Sequence, residues 1–290
     1  MKEFKDKVAV ITGGASGIGL AIAERCVHEG MKVVLADINA ADLTEAEAKL
    51  TSSGGKVLGI QTDVAKRSDV EALAQKTLEA FGAVHLLVNN AGVGAGSTPW
   101  EATWNDWEWS IGVNLWGVIH GVKVFMPVML AQDVECHIVN TASAAGLTVG
   151  SVPAPYSVTK HGVVALSESL WLTLQRQNAR VGVSVLCPGL VRTDIMNCER
   201  HRPADLKNEP VEMTPQMQAG RNFMKAAIEA GMPAERVAEV VFEAIRNGRF
   251  YIVTHPEWME VVRMRTDSVA RMENPRDPTQ TLLKIIQGRS

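Results

Sequence analysis

The chain has 290 residues, 46% of them hydrophobic and 21% charged, with a formal net charge of −3 from 29 basic and 32 acidic side chains. This composition excludes global disorder and suits one large α/β domain or two small ones, while the near-balance of charge gives no electrostatic case for nucleic acid or an anionic membrane surface. No apolar run is long enough for a transmembrane helix, the charged start lacks the apolar core of a signal peptide, and the scattered Cys26, Cys136, Cys187 and Cys198 read as reduced thiols, so a cytoplasmic location is expected.

The predicted elements alternate along the chain. Residues 8–11 read as a buried strand and 18–29 as a helix; 32–36 with 41–51, and 57–61 with 68–81, repeat the pair. A fourth strand at 85–88 precedes a long helix over about 103–130, and strands at 136–141 and 181–187 flank a helix over 156–177. Continuous apolar strands alternating with helices predict a parallel sheet covered on both faces. The expected fold is a doubly wound, Rossmann-like α/β domain with ligands at the C-terminal strand ends. After Pro188-Gly189 the rhythm breaks. Residues 192–212 are polar, and 214–230 are amphipathic with Met217, Phe223, Met224, Ala227 and Ile228 on one face. A helix over 237–246 and a last strand over 250–253 follow. The reading is a single domain over 1–270 with a helical substrate lid at 193–233, then a loosely held tail over 271–290.

Strand one ends in Thr12-Gly13-Gly14-Ala15-Ser16-Gly17-Ile18-Gly19 and runs into a helix. Glycines there permit a tight turn and close approach of backbone to a diphosphate, and the helix N-terminus offers free N–H groups and a positive dipole end. Glycines alone fit an ordinary strand–helix turn equally well. Asp37, about twenty residues further at the end of strand two, is placed to bind ribose hydroxyls, and Asp63 and Asn89-Asn90-Ala91-Gly92 end the next two strands. Tyr156 and Lys160 stand one helical turn apart, with Ser143 just past the preceding strand. A free tyrosine titrates near ~10, and a neighbouring ammonium would lower that value towards use as an acid/base.

Taken in order, Thr12-Gly13-x-x-x-Gly17-x-Gly19, Asn89-Asn90-Ala91-Gly92, Asn114, Ser143, Tyr156-x-x-x-Lys160 and Pro188-Gly189-x-Val191-x-Thr193 resemble the short-chain dehydrogenases/reductases of the common single-domain type. The likeness runs over roughly residues 5–193, more weakly to about 255. It implies that Tyr156 exchanges the proton with the substrate oxygen, that Lys160 lowers its pKa and binds the nicotinamide ribose, and that Ser143 orients the substrate. It further implies that Asn114 holds a water linking Lys160 to solvent. Gly13, Ser16, Gly17, Ile18 and Gly19 would cradle the diphosphate, Asp63 and Val64 would flank the adenine, and Asn90, Ala91, Gly92, Pro188 and Gly189 would line the groove. Val191 and Thr193 would meet the carboxamide. Asp37, with no cation at Ile38, Ala15 or Ser16, favours NAD over NADP.

The sequence departs from that family at its end. Where many relatives stop in a glycine-rich segment that packs in a tetramer, more than thirty residues follow Pro256 here. A homo-oligomer is expected, a dimer before a tetramer. Five of the seven tryptophans fall between Trp100 and Trp116 and read as packing and subunit contact. Cys198 and His201 have a metal-like spacing but no second pair, so no metal is expected. Small or apolar residues (Gly94 to Gly96, Ala144 to Val149, Val152, Pro153, Leu190) surround the expected reacting carbon, with Met196 and the 217/223/224 face folded over it. An apolar cleft predicts a neutral, bulky secondary alcohol or ketone, and the polar run 200–212 reads as the mobile part of the lid. A dehydratase or epimerase on the same scaffold, or a non-catalytic dinucleotide sensor, stand as alternatives.

Overall fold

Seven parallel strands line up in the order β3-β2-β1-β4-β5-β6-β7 in this computed structural model, which describes residues 1–150, 152–209 and 212–287. They are β1 (Val8–Thr12), β2 (Lys32–Asp37), β3 (Lys56–Gln61), β4 (Leu86–Asn89), β5 (Cys136–Thr141), β6 (Val181–Cys187) and β7 (Tyr251–Val253). Every residue of β1, β4 and β5 is buried. Both faces of the central strands are covered, which is why these strands read as unbroken apolar runs rather than alternating ones. The order turns back at β1, with β2 on one side and β4 on the other, so the C-terminal ends of those strands open a crevice.

Helices α1 (Gly17–His28) and α8 (Ala234–Arg246) cover one face, and α3 (Arg67–Phe81) and α5 (Gly117–Ala131) lie on the other. Phe242 on the first face and Phe125 on the second are fully buried, each contributing roughly 2–3 kcal/mol by leaving water. Helix α2 (Ala40–Ser52) is capped by Asn39, whose side chain accepts from Ala41 and Asp42 N–H. The remaining helices are α4 (Trp104–Ser110), α6 (Ala154–Arg176), α7 (Pro215–Glu229), α9 (Met259–Ala270) and α10 (Thr279–Ile286).

Three expectations are corrected. The long helix over 103–130 is one rod interrupted by a π-helical turn at Ile111–Trp116, which apolar periodicity alone does not signal. By length and composition Trp104–Ala131 could also span a membrane, but its buried residues pack inside the domain. Over its described residues, to 287, the tail is not loose. Leu282 and Ile285 of α10 pack on Val261 of α9 beside Trp258, and Pro278 abuts the loop after β5, where a Cβ on Gly150 would come within 2.8 Å of it. Four apolar positions of α10 were hidden among polar neighbours. Lastly, α7 does not turn its apolar face inward: Met217 and Phe223 are 51% and 43% exposed, and Ile228 alone in the helix is buried. The return of the chain is pinned elsewhere, by reciprocal backbone hydrogen bonds of Met232 with Leu190 and Arg192 at 2.9 Å, so the helix projects. Its periodicity revealed an apolar face without revealing what that face meets.

Candidate active site

The turn after β1 is built around two left-handed glycines, Gly13 (φ 61°) and Gly17 (φ 52°), a conformation glycine adopts without a Cβ penalty. A Cβ on Gly19 would lie 2.0 Å from the Gly13 carbonyl oxygen, and one on Gly13 2.8 Å from Ala91 Cα. Ser16 caps α1 through backbone alone, with no side-chain cap bond, so the first-turn N–H groups point towards whatever lies over the loop. Asp37 holds the loop from the side: its two carboxylate oxygens accept from Ala15 N–H and Asn39 N–H, both at 3.1 Å. Asn90 holds it from the other, donating to the carbonyls of Thr12 (3.1 Å) and Gly13 (3.2 Å), and its own N–H donates to Thr12 Oγ1 at 2.9 Å.

One half of the resulting groove is lined by Gly13, Ser16, Gly17 and Ile18, by Asn90 to Gly92, and by Thr141, Tyr156, Lys160, Pro188 and Thr193. The adjoining half is lined by Asp37, Ile38, Asp63, Val64 and Trp109, and shares Gly13, Ser16, Ala91 and Gly92 with the first. Most of the expected residues thus share one crevice. Others stand behind it. Gly19 is packed against the loop, Gly189 donates to Thr254 and approaches His255, and Val191 is buried beside Met232. Thr193 reaches the loop itself, its Cγ2 3.1 Å from where a Gly17 Cβ would stand.

Lys160 is buried, and its ammonium donates to the Thr141 carbonyl at 3.0 Å and lies 5.6 Å from the Tyr156 ring centroid. Burial pulls its pKa down to about 8. Tyr156 departs from the expected lowering. Burial pushes its phenol above the ordinary value, and the hydrogen bond with Ser143 offsets this only in part; Lys160 spends its charge on the Thr141 carbonyl. Ser143 also accepts from Ala145 N–H at 3.1 Å. Asn114, in the π-helical turn, is fully buried. Its amide donates to Val93 O (2.9 Å) and Thr159 Oγ1 (3.3 Å) and accepts from Val93 N–H (2.8 Å). The side chain expected to hold a water also fixes the backbone just after Gly92, with one lone pair of its Oδ1 beyond that bond.

The segment after Thr193 corrects the expectation of an uncharged cleft under a mobile polar run. Asp194, Ile195, Cys198, Arg200 and His201 line the groove. Cys198 contacts the Gly94 backbone and sits in a small core with Val93, Ala95 and Trp109. Arg202 is buried, with Nη2 2.7 Å from both Asp106 Oδ1 and Glu199 Oε1 and its guanidinium 4.2 Å from the Trp109 ring centroid. Asp106 also accepts from Asn208 (2.8 Å) and Thr103 N–H (3.1 Å). Burial raises its carboxyl, but these donors hold it below the usual carboxylate range. Charged letters in a polar stretch read as solvated, because sequence does not show that Asp106 lies nearly a hundred residues away as a partner. Thr141 also escaped the sequence reading, although it ends β5 on the expected edge and lines the groove.

A short chain dehydrogenase family model matches residues 7–204. Over 93% of its length the chain is 36% identical to a CLA biosynthesis dehydrogenase/reductase of Lactiplantibacillus plantarum, of which 95% is covered. It is 33% identical to a C alpha-dehydrogenase of a Sphingobium species over 94% of this chain and 90% of that one. A crystal structure of a short-chain dehydrogenase/reductase from Burkholderia phymatum in complex with NAD superposes with a TM-score of 0.92 at 47% identity, covering 96% of this chain and 99% of that one. The chain belongs to the short-chain dehydrogenase/reductase family of NAD(P)-dependent oxidoreductases.

Proposed function

We propose that this protein interconverts a neutral, bulky secondary alcohol and its ketone, with NAD preferred over NADP, using Tyr156 as acid/base. The observation that carries the reading is the meeting of Tyr156, Lys160 and Ser143 beside a glycine cradle that no side chain could enter. That cradle fits a dinucleotide: Gly13, Ser16, Gly17 and Ile18 would hold the diphosphate, Asp37 the adenosine ribose, Asp63 and Val64 the adenine, and Asn90, Ala91, Gly92, Pro188 and Thr193 the remainder. When bound, the nicotinamide supplies or accepts the hydride.

The chain's own groups do the rest. Ser143 and Tyr156 orient the substrate oxygen by hydrogen bonding. Tyr156 gives its phenolic proton to that oxygen during reduction and takes it back during oxidation. Lys160, with a pKa near 8, changes protonation close to neutrality and positions the phenol. Asn114 fixes Val93 and so the floor of the groove. Asp37 disfavours a 2′-phosphate by like charge, which supports at least a tenfold NAD preference. The apolar side contributed by Ala142, Pro188, Ile195 and Cys198 beside Tyr156 suits hydrocarbon, and the carboxylates of Asp42 and Asp194 beside Arg200 oppose the approach of a substrate carboxylate.

The test compares kcat/KM for an aryl or alicyclic carbinol with a small hydroxy acid and a polyol, using NAD and NADP, in wild type and Tyr156→Phe. The carbinol with NAD is expected to lead, and the Phe variant to lose about a hundredfold in turnover with NADH affinity nearly intact. A preferred acid or polyol sinks the substrate assignment. Near-normal turnover of the Phe variant sinks the chemistry.

A further inference from the structure

The segment from Thr193 to Asn208 leaves the sheet at the end of β6, yet it touches α2, the helix that follows β2. Strands β5, β4 and β1 stand between β6 and β2. A segment rooted at β6 and tied to α2 therefore passes over the C-terminal ends of the three intervening strands, where the groove lies. Arg200 makes the reach. Its Nη2 is 3.6 Å from Asp42 Oδ2 in the first turn of α2, its Nη1 pairs with Asp194 of the same segment, and its Nε donates to His201 Nε2 at 2.8 Å. Arg200 lines one half of the groove, and His201 lines both.

The two ends of this strap are fixed by unlike means. Near α4 the Arg202–Asp106 pair is almost fully buried, at 2% and 10% side-chain exposure; at α2 the Arg200–Asp42 pair is open, at 42% and 37%. A buried pair is strongly destabilised by loss of one partner, whereas an exposed pair contributes little and is screened by salt. One anchor is permanent and the other opens readily, which suits a cover that must lift each time a ligand exchanges.

We propose that Arg200 is a nucleotide-retaining residue: its ion pair with Asp42 closes the strap over the groove, and opening of that pair governs how fast the dinucleotide leaves. The inference rests on the dinucleotide reading of the groove and assigns a residue outside the family's motifs to it. The glycine loop itself carries no cation, so the guanidinium brought by the strap is the positive side chain over that half of the groove apart from buried Lys160.

The experiment is stopped-flow displacement of NADH from the full chain, in wild type, Arg200→Ala, Asp42→Ala and the double variant, at low and high salt. Each single change is expected to speed release about two- to fivefold, the size of an exposed ion pair. The double variant should be no faster than either single one, and added salt should speed the wild type more than the variants. Normal NADH binding with unchanged release in both single variants overturns the latch. So does a silent Asp42→Ala beside a fast Arg200→Ala, or additive effects, because Arg200 would then act on the nucleotide without Asp42. Failure of the wild type to bind NADH at all overturns the dinucleotide reading, and the latch with it.

Discussion

Replacing Arg202 with Met tests whether the strap is held by its buried ion pair. The guanidinium gathers Asp106, Glu199 and the Leu206 carbonyl over the Trp109 ring. Removing one partner of a buried pair costs about 3–5 kcal/mol. Here Asp106 keeps its bonds from Thr103 and Asn208, Glu199 is 62% exposed and rehydrates, and a Met side chain still covers Trp109. The cost should therefore fall to about 2–3 kcal/mol. It acts on docking of the strap, not on the sheet, so the open population rises roughly 30- to 160-fold. Limited trypsin digestion at Arg200 and Lys207 reads that population when opening is fast relative to cleavage, while urea unfolding of the whole domain moves less. Cleavage within about threefold of wild type would refute the reasoning. The pH dependence has a definite sign. Asp106 has a lowered folded pKa, so its contribution is full above the ordinary carboxylate value near ~4 and fades as pH falls through the lower folded one. The wild type should lose its advantage over the Met variant only in strong acid.

Two further outcomes bear on the groove. Gly19→Ala would set a Cβ 2.0 Å from the Gly13 carbonyl oxygen, a backbone clash no rotamer relieves, and should weaken NADH binding at least tenfold by fluorescence titration with far-UV CD retained; unchanged affinity would show that the turn yields. Lys160, at about 8 in the fold against about 10.4 unfolded, binds more protons when unfolded between those values. Stability of the nucleotide-free protein should therefore rise with pH across that window, and Lys160→Met should lack that rise in urea unfolding; parallel pH profiles for the two proteins would count against a buried ammonium.

The sheet was legible because buried parallel strands leave continuous apolar runs: β1, β2, β5 and β6 fall within a residue or two of their expected places. The groove was legible because its parts sit at strand ends, and Gly13, Gly17, Asp37, Asn90, Tyr156 and Lys160 all fall there. What escaped depends on long-range partners. Arg202 and Asp106 form a pair only once α4 and the strap meet, and in isolation each letter looks solvated. Leu282 and Ile285 find Val261, and Pro278 finds Gly150, only once segments far apart in the chain have folded together. The Tyr156 phenol rises rather than falls because burial outweighs its hydrogen bond with Ser143, and Lys160 donates to the Thr141 carbonyl, neither of which spacing along a helix contains.

The π-helical turn at Ile111–Trp116 carries a constraint on the length of the chain. A wider turn holds about one residue more than its α-helical counterpart, and one residue corresponds to about 100° of rotation. Trp109 upstream and Phe125 downstream, 3% and 0% exposed, are therefore buried along stripes that an unbroken α-helix would misalign. Loss of one residue between 111 and 116 would remove that surplus and let the rod close to regular α-helix with α5 still in register, whereas closing the turn at full length, or adding a further residue, would swing α5 by that angle and take Phe125 off the sheet. Asn114 is the exception within the stretch, because its removal frees Val93. The turn therefore absorbs a deletion but not an insertion, so deletion and insertion scans across this stretch would give opposite profiles.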